Sequence, residues 1–343
     1  MVARGAWLPG KGTYTVENST SPFDPTAGDI RFHTESPHRI DFKIGGDACG
    51  SIGKPDELVA QSKNSLPAFL DVASLANLAT VAHKGDHWEA RGDPTEIAIQ
   101  VFSSRFGFNR VERTAGEKPG WSDIAELPFD SDVKRMSVVM KNNGTGELSA
   151  YTKGAVERVI QICTKYSPSD SGELVDMTDD FRQEILRNME VFAGLGLRVL
   201  ALAGKPYTYP LKKGDEVDRA TVECDLIFHG LIGLYDPPRP ESAPAVRSCH
   251  EAGISVHMLT GDHPETAKAI AIEVGILPSR MEAVARNVAD AMVMTASSFD
   301  SLTDDQVDEL PVLPLVIARC APSTKVRMIE ALHRRKRFCA MVR

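Results

Sequence analysis

Beyond about residue 225 the chain alternates short apolar runs with amphipathic ones, and that alternation leaves few folds open. "LIFHGLIGLY" reads as a strand, "PESAPAVRSCHEAG" as a helix stopped by Gly253, "ISVHML" as a strand, and "PETAKAIAIEVG" as a helix stopped by Gly275. "VLPLVIA" then reads as a strand, "STKVRMIEALHRR" as a helix and "RFCAMV" as the start of another strand. This order predicts an α/β fold, a parallel sheet with helices on both faces. Ligands of such sheets sit beyond the carboxyl ends of the strands. Asp236, Thr260-Gly261-Asp262 and Arg319 each follow a predicted strand and are expected along one edge.

The preceding part has a different grammar. Residues 14–57 are rich in Gly, Pro, Ser, Thr and Asp and read as long loops with about two short strands. "SLPAFLDVASLANLATVAH", residues 65–83, reads as one largely buried helix. The next helix opens at "GDPTEIAIQVF", with Asp93 as N-cap, Pro94 in the first helical position and Glu96 completing a capping-box pattern. "MSVVMKNNGTGELSAYTKG" predicts a hairpin, with strands over 136–140 and 147–152 and a turn around Asn143-Gly144. Helices over 155–163 and 179–192 follow, then a buried strand in "LRVLALAGKPY".

Length and charge bound the function. A chain of 343 residues accommodates about two domains. Its formal net charge of -8 opposes general binding of nucleic acid, which needs a basic face. The six cysteines form no C-x-x-C pair, so neither a zinc site nor a disulfide framework is indicated. The most apolar stretch, "VFAGLGLRVLALAG", is too short to cross a membrane and carries Arg198.

Three constellations carry candidate chemistry. At Thr260-Gly261-Asp262 the glycine lets backbone turn around an oxyanion, the hydroxyl can donate, and the next helix offers free N–H groups. The same residues can also be a plain turn with Asp262 as helix cap. Lys325 lies at the start of a helix, where a cation opposes the dipole, so it either faces an anion or is simply solvated. In the hairpin, pairing Met140 with Glu147 sets Lys134 opposite Lys153, an unfavourable pair unless something negative lies between them. Phe129, five residues before Lys134, can supply an aromatic face. An aromatic with two lysines suits a nucleotide. The alternative is an exposed hairpin whose lysines splay into water.

Two motifs are decoys. "GGDACGSIGKP" resembles a P-loop, but its first glycine is misplaced and Pro55 stands where Ser or Thr belongs. "PFDSDV" resembles the Asp-x-Asp nucleophile of soluble phosphatases, yet it does not end an apolar parallel strand.

"GDPTEIAI", "PFDSDVKRMSVV", "YTKGAVERV", "GLGLRVLALA", "GLYDPPRPE", "MLTGDHPETAKAIAIEVGI" and "IARCAPSTKVRMIE" follow one another in the order found in P-type cation-transport ATPases. The sequence resembles that family over nearly its whole length. "MVARGAWLPGKGTYTV" and "PFDSDVKRMSVV" look most like its fungal sodium/potassium-exporting branch. The resemblance implies an α+β nucleotide-binding domain, an antiparallel sheet with helices. That domain is inserted in a partial phosphorylation domain of haloacid-dehalogenase-like, Rossmann type. The expected division is 1–10 as the start of the phosphorylation domain, 11–230 as the nucleotide-binding domain and 231–343 as partial phosphorylation domain.

The same resemblance implies that Glu96, Phe129, Lys134, Met136, Lys153 and Arg198 line an ATP pocket, with Phe129 on the adenine and Lys153 at the pocket's depth. Thr260, Gly261 and Asp262 are implied around the transferred phosphoryl group, with Asp236, Arg319 and Lys325 nearby. Ser131 stands where animal calcium pumps often have Arg, which puts one phosphate contact in doubt. The family's nucleophile, in Asp-Lys-Thr-Gly-Thr, and its magnesium motif, Thr-Gly-Asp-Gly-x-Asn-Asp, are expected just before Met1 and just after Arg343. The chain is therefore expected to bind ATP without metal residues of its own and without forming a phosphoenzyme. Its expected partners are the transmembrane and actuator domains of a pump at the cytoplasmic face of the plasma membrane. The alternatives are a soluble phosphatase using Asp130 or Asp132 and a non-catalytic nucleotide-binding regulator.

Overall fold

The computed structural model describes residues 1–34, 40 and 50–342. Its contacts divide the chain into two compact units, Met1–Phe192 with Val199–Asp236, and Ala193–Arg198 with Pro237–Arg343.

The first unit opens with strands β1 (Val2–Leu8), β2 (Gly12–Glu17), β3 (Asp29–His33) and β4 (Ser51–Ile52). Helices α1 (Pro55–Gln61) and α2 (Ser65–Leu75) precede a hairpin of β5 (Thr80–Lys84) and β6 (His87–Arg91), and helices α3 (Pro94–Arg105) and α4 (Arg110–Ala115) follow it. Then come β7 (Trp121–Asp130), β8 (Arg135–Asn142), β9 (Leu148–Ala155), the short α5 (Val156–Val159), β10 (Cys163–Tyr166) and β11 (Val175–Asp176). Helix α6 (Asp179–Gly194), β12 (Leu197–Tyr207), α7 (Arg219–Val222) and β13 (Leu226–Tyr235) close the series. One sheet runs β4-β3-β2-β1-β13-β12-β9-β8-β7, and β10 joins β13 in parallel. The β7, β8, β9 and β12 neighbours pair antiparallel, as do β13, β1, β2, β3 and β4.

Alternation along β8 explains how the sheet is covered. Successive side chains of a strand point to opposite faces. Met136, Val138 and Met140 join a core with Leu66, Phe69 and Leu70 of α2 and Ile99 and Phe102 of α3, whereas Val139 packs in a separate cluster with Ala150, Tyr207 and Val222. Burying each of the large side chains contributes at most about 1.5–3 kcal/mol against the extended chain.

Three expectations need correction here. The helix over 65–83 ends at Leu75, and Thr80–Lys84 is a strand. Asn77 makes the break: its side chain donates to Ala73 O and Glu96 O and accepts from Ala79 N, which satisfies groups that a continuing helix would have paired. The hairpin register is shifted by two residues, with Met140 opposite Ser149 and Met136, not Lys134, opposite Lys153. Its loop closes through Asn142 N to Glu147 O, with Gly146 in the left-handed region and the Asn142 carboxamide accepting from Gly144 and Thr145. Finally, residues 14–57 contain β3 and β4 and most of β2, more strand than expected. Of the false P-loop, 45–49 lie outside the described residues.

The second unit carries α8 (Ser242–Glu251), β14 (Met258–Leu259), α9 (Pro264–Glu273), α10 (Arg286–Met292), β15 (Val293–Thr295), α11 (Ala296–Asp300), α12 (Asp304–Glu309), β16 (Val316–Ala318) and α13 (Pro322–Arg334). Its three strands run in the order β14-β16-β15 and are all parallel. The fully buried central strand divides two clusters. Val316 and Ala318 pack with Ala267 and Ala271 of α9, while Ile317 packs with Phe299, Met328 and Ala331 of α11 and α13. Helices therefore cover both faces, as the alternation requires.

The membership of this sheet differs from expectation. "LIFHGLIGLY" is β13 of the first unit, hydrogen-bonded to β1, so Val2–Leu8 also belong to the large sheet. The compact units meet along the chain at Asp236/Pro237 and on either side of Ala193–Arg198. "RFCAMV" forms no strand, and β15 with α10, α11 and α12 fills a stretch that the sequence reading passed over. Among the described residues no helix is long and apolar enough to cross a membrane.

Candidate functional site

Two sites emerge, one in each unit. The first lies where β7 ends and β8 begins. Between the pairs Leu127–Ser137 and Asp130–Arg135, β7 has two residues, Pro128 and Phe129, against the single Met136 of β8. Such a bulge frees a side chain from the ladder, and Phe129 is 66% exposed. The chain then turns tightly. The Asp130 carboxylate accepts from Asp132 N and Val133 N, Asp130 O accepts from Lys134 N, and Lys134 adopts a positive φ of 55°. The two backbone amides hold the Asp130 carboxyl below the usual carboxylate range. Lys134 is exposed, and its carbonyl accepts from Ala155 N. Gly154 permits this closeness: a Cβ there would lie 2.5 Å from Lys134 O and from the Arg135 Cβ.

Met136, Lys153 and Leu202 form one row across β8, β9 and β12. Cross-strand partners share a face, so Lys153 points into the core beside buried Met136. It is 5% exposed. Its ammonium donates to Glu96 Oε1 at 2.6 Å and to Ala76 O, just past the end of α2, at 2.6 Å. Burial pulls the Lys153 pKa down, and the Glu96 carboxylate opposes that shift. Glu96 Oε2 accepts from Leu78 N. Glu96 is thus turned toward Lys153, and the Asp93 carboxylate alone caps α3, through Thr95 N.

The second site lies at the carboxyl ends of β14 and β16. Thr260 N donates to Ile317 O, Cys320 N to Thr260 O and Arg319 N to Asp262 O, so the two strand-end segments are stitched together. Arg319 has a positive φ of 58°. Thr260 Oγ1 donates to Asp262 Oδ2 at 2.8 Å, and Arg198 pairs with Asp262 Oδ1 at 3.0 Å. The cap of α9 is His263, not Asp262; its ring accepts from Glu265 N. Gly261 lacks a positive φ and a Cβ on it would meet open space, so neither backbone conformation nor packing requires glycine here. Lys325, in the first turn of α13, is half-buried and has no hydrogen bond or ion pair among the described residues. Its charge works against the burial that raises the Cys320 thiol pKa.

The structure brings only some of these residues together. Glu96, Met136 and Lys153 come together with Phe129 and Lys134 at the adjoining strand end, all in the first unit. Arg198 lies in the second unit, on Asp262. Asp236 follows β13, exposed, in a different sheet from Thr260 and Arg319, which overturns the single shared edge.

Sequence reading missed Glu223. This carboxylate is buried behind the β8–β9 hairpin and accepts from Arg135 Nε at 2.5 Å, Arg219 Nη1 at 2.6 Å and Ser137 Oγ at 2.8 Å. The i, i+4 spacing of Arg219 and Glu223 was the available signal.

A large, mainly antiparallel sheet with an exposed aromatic at a bulge, and a parallel sheet ending in Thr-Gly-Asp, define a chain of two different domain types. The family described as P-type ATPase, cytoplasmic domain N, matches residues 65–241, and haloacid dehalogenase-like hydrolase matches residues 175–342. The chain belongs to the P-type ATPase family. It is 44% identical to sodium/potassium exporting P-type ATPase 2 of Saccharomyces cerevisiae, over 99% of the chain and 34% of that protein. It is 42% identical to sodium/potassium exporting P-type ATPase cta3 of Schizosaccharomyces pombe, over 99% of the chain and 31% of that protein. The probable cation-transporting ATPase F of Mycobacterium tuberculosis is 36% identical over 78% of the chain and 27% of that protein. The chain spans about a third of the length of the curated relatives it matches.

Proposed function

We propose that this chain is the ATP-binding cytoplasmic part of a cation pump of the sodium/potassium-exporting kind, acting at the cytoplasmic face of the plasma membrane. The single observation that carries the reading is Phe129, an aromatic left 66% exposed on a bulge beside a hydrogen-bonded turn. An adenine stacked on that ring would bring its phosphates toward exposed Lys134. Lys153 then serves the pocket from beneath, by holding Glu96 and the end of α2, and makes no direct phosphate contact. In the second unit, Thr260, Gly261 and Asp262 would surround the transferred phosphoryl group, with Arg198, Arg319 and Lys325 balancing its charge.

In the whole pump the γ-phosphoryl would pass to an aspartate, and hydrolysis of that aspartyl-phosphate would drive export. Asp-Lys-Thr-Gly-Thr does not occur in this sequence. Among the described residues no three of His, Cys, Asp or Glu converge to hold a metal ion. In the whole pump magnesium would accompany ATP and offset charge on its phosphates. The transmembrane and actuator domains of the pump are the partners this reading requires. The phosphatase reading draws no support from Asp130, whose carboxylate closes an antiparallel turn.

The test is calorimetric titration of the chain with ATP. Base–aromatic stacking contributes about 1–3 kcal/mol, so Phe129→Ala should weaken binding at least about fivefold. The unfolding midpoint should stay unchanged, because the ring is largely outside the core. Equal affinity for ATP in parent and variant would dismiss the nucleotide reading.

A further inference from the structure

The Phe129 ring has no core packing to set its direction, and the bulge removes Pro128 and Phe129 from the regular ladder. Something else must fix this backbone. Arg219 Nη2 donates to Pro128 O at 2.9 Å, the carbonyl immediately before Phe129. The other arm of the same guanidinium donates to Glu223 Oε1 at 2.6 Å, and the Glu223 side chain is only 1% exposed. Glu223 Oε2 accepts from Arg135 Nε, the residue that resumes pairing with β7 at Asp130. Glu223 Oε1 also accepts from Ser137 Oγ, itself bonded to Thr152 Oγ1. One buried carboxylate is therefore tied to both sides of the bulge, through Arg219 to Pro128 and through Arg135 and Ser137 to β8.

We propose that Arg219, anchored by Glu223, is a positioning residue that sets the Phe129 platform for the adenine base. This rests on the nucleotide reading above. A planar guanidinium suits the task because its fork spans two acceptors with a fixed angle between them. Arg219 acts through the backbone of Pro128 and need not touch the nucleotide.

A double-mutant cycle on ATP affinity, measured by calorimetry on the whole chain, separates this role from general support of the fold. Arg219→Ala should weaken ATP binding three- to tenfold while Phe129 is present. In the Phe129→Ala background the same substitution should have no further effect, because the group it positions is gone. Effects that multiply, or an Arg219→Ala protein that binds ATP as the parent does, would overturn the proposal. Should Arg219→Ala fail to fold, Arg219→Lys is used in the same cycle: it keeps the charge beside Glu223 and loses the second arm to Pro128 O. A Phe129→Ala protein with parental affinity would instead strike down the nucleotide reading, whatever the Arg219 variants do.

Discussion

Two lysines expected to face anions meet opposite environments. Lys153 is 5% exposed and bonded to a carboxylate and a carbonyl, whereas Lys325 is half-buried and has no ion pair among the described residues. The difference is that between a charge used by the fold and a charge that no group among the described residues pairs. A buried ammonium must be paired to be tolerated, and once paired it has little left to offer a phosphate. A half-open ammonium at the start of a helix gains nothing from that position.

Helix α2 shows what the Lys153 charge accomplishes. The helix has no acidic residue in its first turn and no basic residue in its last. Both are supplied from elsewhere. Lys153 donates to Ala76 O at the carboxyl end, and the Asp170 carboxylate accepts from Lys63, Asn64 and Ser65 N at the amino end. Each placement complements the helix dipole. The first prediction therefore concerns Lys153→Ala, which leaves the half-buried Glu96 carboxylate without its cation and should cost about 3 kcal/mol in urea unfolding. Adding Glu96→Gln should recover part of that loss, because the orphaned charge is removed while an acceptor for Leu78 N remains. A Lys153→Ala protein as stable as the parent would erase the distinction between the two lysines.

The next effect belongs to the other end of α2. Burial works against the Asp170 charge, but Ser65 N, Asn64 N, Lys11 and Ser62 outweigh it and hold the carboxyl well below the usual range. Asp170→Asn keeps an acceptor but loses the charge, and should cost about 1–3 kcal/mol at neutral pH. The sign with pH follows from the direction of the shift. A depressed carboxylate contributes fully above its unfolded value, about 4, and loses that contribution as pH falls below it. Unfolding free energies of parent and variant should converge as pH falls below about 4. A gap that persists unchanged would mean that Asp170 acts by shape alone.

These contrasts mark how far the sequence could be read. Local signals were legible: Asp93-Pro94 opens α3, Gly275 follows α9, and strand–helix alternation brings Thr260, Asp262 and Arg319 to touching strand ends. What depended on distant partners was not. The break after Leu75 rests on Asn77 reaching Glu96 O, and the burial of Lys153 rests on a carboxylate 57 residues away. The two-residue register shift arose because the turn closes on Gly146 instead of Gly144. Periodicity identified "LIFHGLIGLY" as a strand but could not choose its sheet, since an apolar run suits either.

The smallest effect tests the other half of the comparison. Lys325→Gln removes a cation from the first turn of α13, where the helix dipole is unfavourable to it, and breaks no hydrogen bond or ion pair among the described residues. Unfolding free energy should be unchanged or rise by up to about 0.5 kcal/mol. A gain, however slight, would mean that the lysine stands there at a cost to the fold, as expected of a group kept for an anion. A loss above about 1 kcal/mol would make Lys325 a second structural cation. The proposed phosphoryl site would then lose its lysine.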